Sequence, residues 1–373
     1  MNHLRILLPA LDRQGGGVAD YGFHLAEAIR RKGVRVTRVG LHDRAIEQPG
    51  RDGDDLRLPA GMSWGERGRL FTDYWAEDPP DAVSLQFVPY GFQNKGLPFA
   101  LASLLGSVDL PTVRHVMFHE IWIGAARPSP WKDRGIGFLQ RLAIARLLNR
   151  FRPTCVHSHA EPYRRLLEPL AGTVQSLPLF SNIPVAPPDG LTCPAKDQVP
   201  DTVGIFSRLP PECDLLPFLH SYQRALTAVD RTGRIRWLGF ANPEAFPLET
   251  WQQAAPRVSW DIVGPRTEAE LPDDLAGCQL AIAGVPLALW EKSGVVAAWR
   301  AAGVPVLFIR EPIRFPGTEP AQPLPAGLIP QIDGWLEAWR STPRADPPPD
   351  PDTVAERMLS DLNEAHSPGE PFS

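Results

Sequence analysis

The stretch "ALDRQGGGVADYGFHLAEAIRRKGVRV", residues 10 to 36, decides the fold. Three glycines, Gly15 to Gly17, follow an apolar run, Ile6 to Leu8 with Ala10 and Leu11, and precede a segment with apolar residues at helical spacing. Val18, Tyr21, Leu25, Ala28 and Ile29 recur every three or four positions, and Gly33 stands where a helix ends. "VRVTRVGL" then continues as a strand, so the chain opens with a βαβ unit. Glycine without a Cβ lets the backbone take positive φ and approach a ligand closely. A helix starting there points unpaired N–H groups and the positive end of its dipole at the same place, an arrangement suited to phosphate. The G-x-G-x-x-G spacing of the dinucleotide fingerprint is missing, and no Walker lysine follows, so an anionic or polar ligand other than NAD is expected.

Strand and helix signals alternate onward through "AVSLQFVPYGF", "TVRHVMFHEIW", a helix over 135–149, and "TCVHSHAEPYRRLLEPL". The proline-rich "LPLFSNIPVAPPDGLTCPAKDQVPD" interrupts them and predicts a linker. Alternation restarts with "TVGIFSRL", a helix over 216–229, "RIRWLGF", "VSWDIVG", "QLAIAGVPL", a helix over 294–302 and "VPVLFI". The expectation is an α/β protein of two Rossmann-like parallel-sheet domains facing a cleft: 1–180, a linker over 181–201, 202–345, and a proline-rich tail over 346–373 with one short helix and a disordered end. In "IGFLQRLAIARLLNRFR" the arginines fall on both sides of a helical projection, Arg141 and Arg152 opposite Arg146 and Arg150, which predicts a buried or partly buried domain helix rather than a membrane-surface one.

The 373 residues carry a net charge of −5, split as +5 through Phe180 and −10 beyond it. No concentrated basic stripe is present, so no nucleic-acid partner is expected. The mild positive charge of the first half is compatible with an anionic membrane surface or acceptor. No apolar run is long enough to span a bilayer, and the N-terminus lacks the pattern of a secretory signal. Four scattered cysteines without a C-x-x-C pair fit a reducing cytoplasm and no structural zinc.

Four segments in order, "GGGVADYGFHLAEAIRRKGVRV", "VMFHEIW", "SRLPPE" and "EKSGVVAAWRAAGVPVL", together resemble the GT-B glycosyltransferases, specifically family four, which includes sucrose- and lipopolysaccharide-type glycosyl transferases. The resemblance implies that the C-terminal domain holds a nucleotide sugar and the N-terminal domain the acceptor. It implies a donor- and acceptor-facing loop at Gly16 and Gly17, a strand-end His-acid step at His119 and Glu120 as catalytic candidates, with His157 and His159 as weaker ones, and a diphosphate-binding guanidinium at Arg208. Glu291, Lys292, Ser293 and Gly294 would complete the donor site. Two departures stand out: the family's lysine five residues after the arginine is Cys213, and its second glutamate, eight after Glu291, is Trp299. With no metal-ligand spacing in the sequence, metal-independent transfer is expected. The co-substrate is a nucleotide diphosphate sugar, no other cofactor is implied, and the acceptor is a saccharide or a lipid-linked one, met in the cytoplasm or at the inner face of the membrane. The departures support an alternative, a catalytically degenerate GT-B protein that binds nucleotide sugar without turnover; a GT-B epimerase is a third reading.

Overall fold

The computed structural model describes residues 1–12, 16–185, 198–317, 324–342 and 344–366. Gly15, most of the expected linker, and the end of the tail lie outside the described residues. The chain divides into two compact units, Met1–Pro178 with Arg314–Thr318 and Pro349–Ser373, and Leu179–Ile313 with Glu319–Pro348.

The first unit contains β1 (His3–Leu8), α1 (Gly17–Arg31), β2 (Arg35–Asp43), β3 (Gly50–Asp52), β4 (Asp55–Pro59), α2 (Trp64–Glu77), β5 (Ala82–Phe87), α3 (Pro89–Phe92), α4 (Phe99–Leu105), β6 (Val113–Phe118), α5 (Trp131–Phe151), β7 (Cys155–Ser158), α6 (Glu161–Ala171) and β8 (Gln175–Ser176). Its sheet runs β3-β4-β2-β1-β5-β6-β7-β8, parallel except for the β3–β4 pair. Fully buried strands such as β1 and β5 explain the continuous apolar runs in the sequence, since helices cover both faces of a parallel sheet. The helix α1 lies close on β1: a Cβ on Gly22 would sit 2.5 Å from Leu8 Cδ2. Strand order reverses between β1 and β5, the place where open α/β sheets form ligand crevices beyond their carboxyl ends.

The second unit contains β9 (Thr202–Phe206), α7 (Leu216–Ala228), β10 (Gly233–Leu238), α8 (Leu248–Ala254), β11 (Val258–Gly264), α9 (Leu271–Ala276), β12 (Leu280–Ala283), α10 (Gly294–Ala301), β13 (Val306–Phe308), β14 (Leu328–Ile329) and α11 (Trp335–Ser341). Its parallel sheet runs β11-β10-β9-β12-β13-β14 and reverses between β9 and β12. Two cores cover its faces, one around Trp237, Trp251 and Trp335, the other around Trp299 and Phe308.

Two elements go beyond expectation. The tail helix, α12 (Pro351–His366), belongs to the first unit and packs on α1, with ion pairs from Arg31 to Asp352 and from Lys32 to Glu356. The helix α5 buries Gly137, Gln140, Ala143, Ile144, Leu147, Leu148 and Phe151, but its opposite face is exposed and apolar: Trp131 is 78% exposed, Phe138 61% and Leu142 47%. The arginines lie on both sides because they flank this outward stripe. The expected partly buried domain helix is what is found; the exposed apolar stripe on its outer face is the feature that the arginine spread did not disclose. Among the described residues no helix is long and apolar enough to cross a membrane.

Candidate functional site

The carboxyl ends of the strands at each reversal, and of β6 and β7 beside the first, carry most of the residues singled out above. In the first unit Gly16 adopts φ +136°, a conformation side-chain-bearing residues rarely take, and its carbonyl accepts from Ala19 and Asp20 as α1 begins. Among the described residues, a Cβ on Gly16 or Gly17 would meet nothing within 4 Å.

One helical turn into α1, the buried ring of Tyr21 stands edge-on to two histidines, 4.9 Å from His119 and 5.4 Å from His159. His119 follows β6 and extends its ladder, its backbone N–H donating to Phe87 O at 3.1 Å. Its ring joins Gln86 Oε1 through Nε2 at 2.8 Å and His159 Nε2 through Nδ1 at 3.2 Å. Glu120, next in sequence, is half-buried. The structure thus brings Gly17, His119 and His159 to one end of the sheet, joined by Tyr21 and Gln86, which sequence reading passed over.

On the same sheet face, further from the strand ends, lie Ser84, His115, Cys155 and His157, all buried. The nitrogen and sulfur atoms of His115, Cys155 and His157 lie within 4.8 Å of one another, a composition that metal sites use. Hydrogen bonds already account for the nitrogens: His115 to Ser84 and His157, and His157 to Asp361. Burial pushes the Cys155 thiol up to about 12 and holds His115 well below the usual histidine range, so both are neutral.

In the second unit the loop after β9 is pinned. Ser207 takes φ 67°, and its carbonyl accepts from Trp237 Nε1 at 2.8 Å. Asn242 holds Leu209 at both backbone atoms. Arg208, between them, is exposed. The neighbouring loop, after β12, carries Glu291 and Lys292, both half-buried, into Ser293, whose Oγ caps α10 by accepting from Val296 N–H at 3.3 Å. The two loops meet where Cys213 Sγ donates to Gly284 O at 3.6 Å. Burial pushes this thiol up to about 11, so Cys213 supplies no charge. A cation that sequence reading missed is there instead: Arg310, just beyond β13, pairs with Glu212 at 3.4 Å and acts electrostatically on Cys213. A basic residue directly after the strand-like "VPVLFI" was its only signal. Trp299 is fully buried against Phe206 and is core rather than site.

No protein-family model and no curated protein matches the sequence. Solved structures do match. A glycosyltransferase from Rickettsia africae aligns with a TM-score of 0.59 at 9% identity, over 98% of this chain and 99% of that one. The lipopolysaccharide outer core galactosyltransferase WaaB aligns at 0.54 and 11%, over 98% and 99%. The UDP-GlcNAc 2-epimerase from Methanocaldococcus jannaschii aligns at 0.54 and 12%, over 98% and 100%. The chain has the GT-B fold. The match shows architecture and leaves the reaction open, since transferases and an epimerase share it.

The GT-B comparison also corrects one expectation. A structure aligning at a TM-score of 0.51, with 12% identity over 98% of this chain and 93% of that one, is an alpha-glucosyltransferase in complex with UDP-glucose and DNA containing an abasic site. Exclusion of nucleic acid on charge balance therefore does not stand. A basic stripe is the footprint of proteins that bind DNA mainly through its phosphates, and its absence does not rule out a GT-B protein that meets DNA through an acceptor pocket.

Proposed function

We propose that this GT-B protein transfers a sugar, with retention, from a nucleotide diphosphate sugar to a saccharide or lipid-linked acceptor, without a metal ion. The observation that carries the reading is the second unit's strand-order reversal between β9 and β12: the loop after β9 carries Arg208 and holds Arg310 through Glu212, and the loop after β12 leads into the amino end of α10. Guanidinium groups and free helix N–H groups are suited to a leaving diphosphate, and stabilising that developing charge is the main demand on the catalyst. In this reading Arg310 takes the part of the missing lysine, and Glu291 and Lys292 flank the donor. Gly16 and Gly17 line the donor-facing loop of the first unit, with His119 and Glu120 as the acid–base groups of the same sheet end.

The exposed face of α5 supports a lipid-linked acceptor met at the inner membrane surface. Trp131, Phe138 and Leu142 form an apolar stripe flanked by Lys132, Arg134, Arg141 and Arg146, the pattern of a helix lying in an anionic lipid interface. A second reading, binding without turnover, is favoured by the burial of Cys213 and Trp299, which removes two polar contacts that the family resemblance implies.

A thermal-shift screen with nucleoside diphosphates and their sugars identifies the donor by mass action. Release of free nucleotide is then measured with oligosaccharide, lipid-extract and DNA acceptors in separate arms. Acceptor-dependent release supports transfer. Stabilisation without release supports the binding reading, and neither result sinks both.

A further inference from the structure

The row of buried histidines along β6 and β7 ends, away from the strand tips, in a cluster that the reading above does not use. Cys155 and His157 stand two apart on β7 and so face one side of the sheet, and His115 is the register partner of Cys155 on β6. All three are buried. His115 precedes His119 by four residues, about 13 Å along a strand, which separates the cluster from the sheet end described above.

Three atoms of the cluster converge. His115 Nε2 and His157 Nδ1 are 3.0 Å apart, His157 Nδ1 and Cys155 Sγ are 3.6 Å apart, and the three ligand atoms lie within 4.8 Å of one another. Around a tetrahedral zinc ion, two imidazole nitrogens stand about 3.4 Å apart, and a nitrogen and a sulfur about 3.6 Å. The spacing at His157 already matches, and the other two separations differ from these by at most about 1.2 Å. The outer nitrogens are held as in histidines that bind metal: His115 Nδ1 is 2.8 Å from Ser84 Oγ, and His157 Nε2 is 3.0 Å from Asp361 Oδ2. With the single hydrogen of each neutral ring on its outer nitrogen, both inner nitrogens turn lone pairs toward Cys155 Sγ. Only the tautomer of His115 and the Ser84 hydroxyl hydrogen distinguish this setting from one in which Ser84 donates to His115 and His115 to His157.

We propose that His115, Cys155 and His157 bind a zinc ion, with Asp361 as the carboxylate behind His157. Cys155 binds as thiolate, its proton leaving as the ion enters. Thiolate and imidazole together favour zinc or copper over magnesium, calcium or manganese. Charge then selects a divalent ion: one thiolate leaves a single positive charge that Asp361 cancels, whereas copper(I) would leave an uncompensated negative one in a buried place. The other groups facing His157 are Gln175 of β8, which also hydrogen-bonds the ring, and Arg357 of α12, whose positive charge Asp361 offsets. The fourth position falls to water or to the Gln175 amide oxygen. Asp361 is the one of these anchors that reaches solvent, its side chain 18% exposed, so the ion enters from the α12 side. Once bound, it ties β6, β7 and, through Asp361, the tail helix α12 together. The site is independent of the transferase reading and takes no part in transfer at the strand ends.

Cobalt(II) tests it, because it occupies zinc sites and reports thiolate ligation by a charge-transfer band. The full chain, kept reduced and freed of metal by chelation, should develop that band on titration with Co2+, saturating at one equivalent. Zn2+ should bleach the band and raise the melting temperature. Cys155→Ala should show no band. Asp361→Asn leaves all three ligands in place, so it should keep the band while Co2+ affinity falls by about 10–100-fold, and this variant decides the matter if Cys155→Ala fails to fold. A role for Asp361 in helix docking alone would shift the melting temperature and leave cobalt affinity unchanged. That result would overturn the proposal. So would a wild-type protein without the band, or a band that survives in folded Cys155→Ala and therefore belongs to another cysteine.

Discussion

Gly204→Ala tests whether Trp299 is core or displaced site. Gly204 lies in β9 beneath the Trp299 ring, and a Cβ there would stand 2.3 Å from Cη2, 2.9 Å from Cζ2 and 2.9 Å from Cys278 Sγ. Contacts of that kind need a retreat of about 1 Å in an interior packed as densely as an organic crystal. Overpacking of one methyl costs about 1–3 kcal/mol. Removing the glycine's freedom in the unfolded chain returns about 0.5–1 kcal/mol, which leaves a net loss of about 1–2 kcal/mol. In a Trp299→Leu background, itself destabilised by about 3 kcal/mol through the cavity it opens, the added methyl enters vacated space and should cost nothing. Urea unfolding of both single variants and the double variant should therefore give a coupling of about 1–2 kcal/mol. Additivity within about 0.5 kcal/mol would refute the packing argument and reopen position 299 as a place for a ligand-facing residue. By the same reasoning Trp299→Glu does not restore a ribose contact; it buries a charge.

Arg67→Ala should lower stability by about 3 kcal/mol in urea unfolding, because the buried guanidinium donates to the carbonyls of Leu41, Ala60 and Met62 and contacts His42, all left unpaired by its loss. Unchanged stability would show that these carbonyls find other donors. His42 is held down to about 4 by burial, with Arg67 and Arg44 adding to it, so the unfolded chain takes up its proton first. Stability should fall by about 2 kcal/mol as pH drops from 6.5 toward 4, and a His42 ring that titrates near 6.5 by NMR contradicts this. Arg208→Ala and Arg310→Ala should each weaken nucleoside diphosphate binding by about 1.5–3 kcal/mol in calorimetry, with the exposed Arg208 leaving the melting temperature unchanged. Equal affinity in both variants would remove the pair from the diphosphate site. His119→Ala should reduce turnover far more than donor affinity, and normal turnover would take His119 out of the chemistry.

What the sequence disclosed follows from periodicity, and what it withheld follows from distance along the chain. Both parallel sheets were legible because their buried strands are short apolar runs set between helical patterns, and the opening glycines marked the turn from β1 into α1. Residues 50–77 passed without comment, although Ser63 and Glu66 form a capping box that starts α2, a signal visible in the sequence as S-x-x-E. Arg310 was invisible as a partner of Glu212 because β9 and β13 meet only through β12. The histidine row is the instructive intermediate case. "VRHVMFH" and "CVHSH" place their histidines an even number of residues apart, so a strand assignment already puts each set on one face. Register was the missing quantity: His115 stands opposite Cys155 and Met117 opposite His157. A slip of one residue would turn one set to the other side of the sheet and break the row. Register in a parallel pair is set by the helices that connect the strands. The row therefore depends on the packing of α5, which connects β6 to β7, as much as on the histidines themselves.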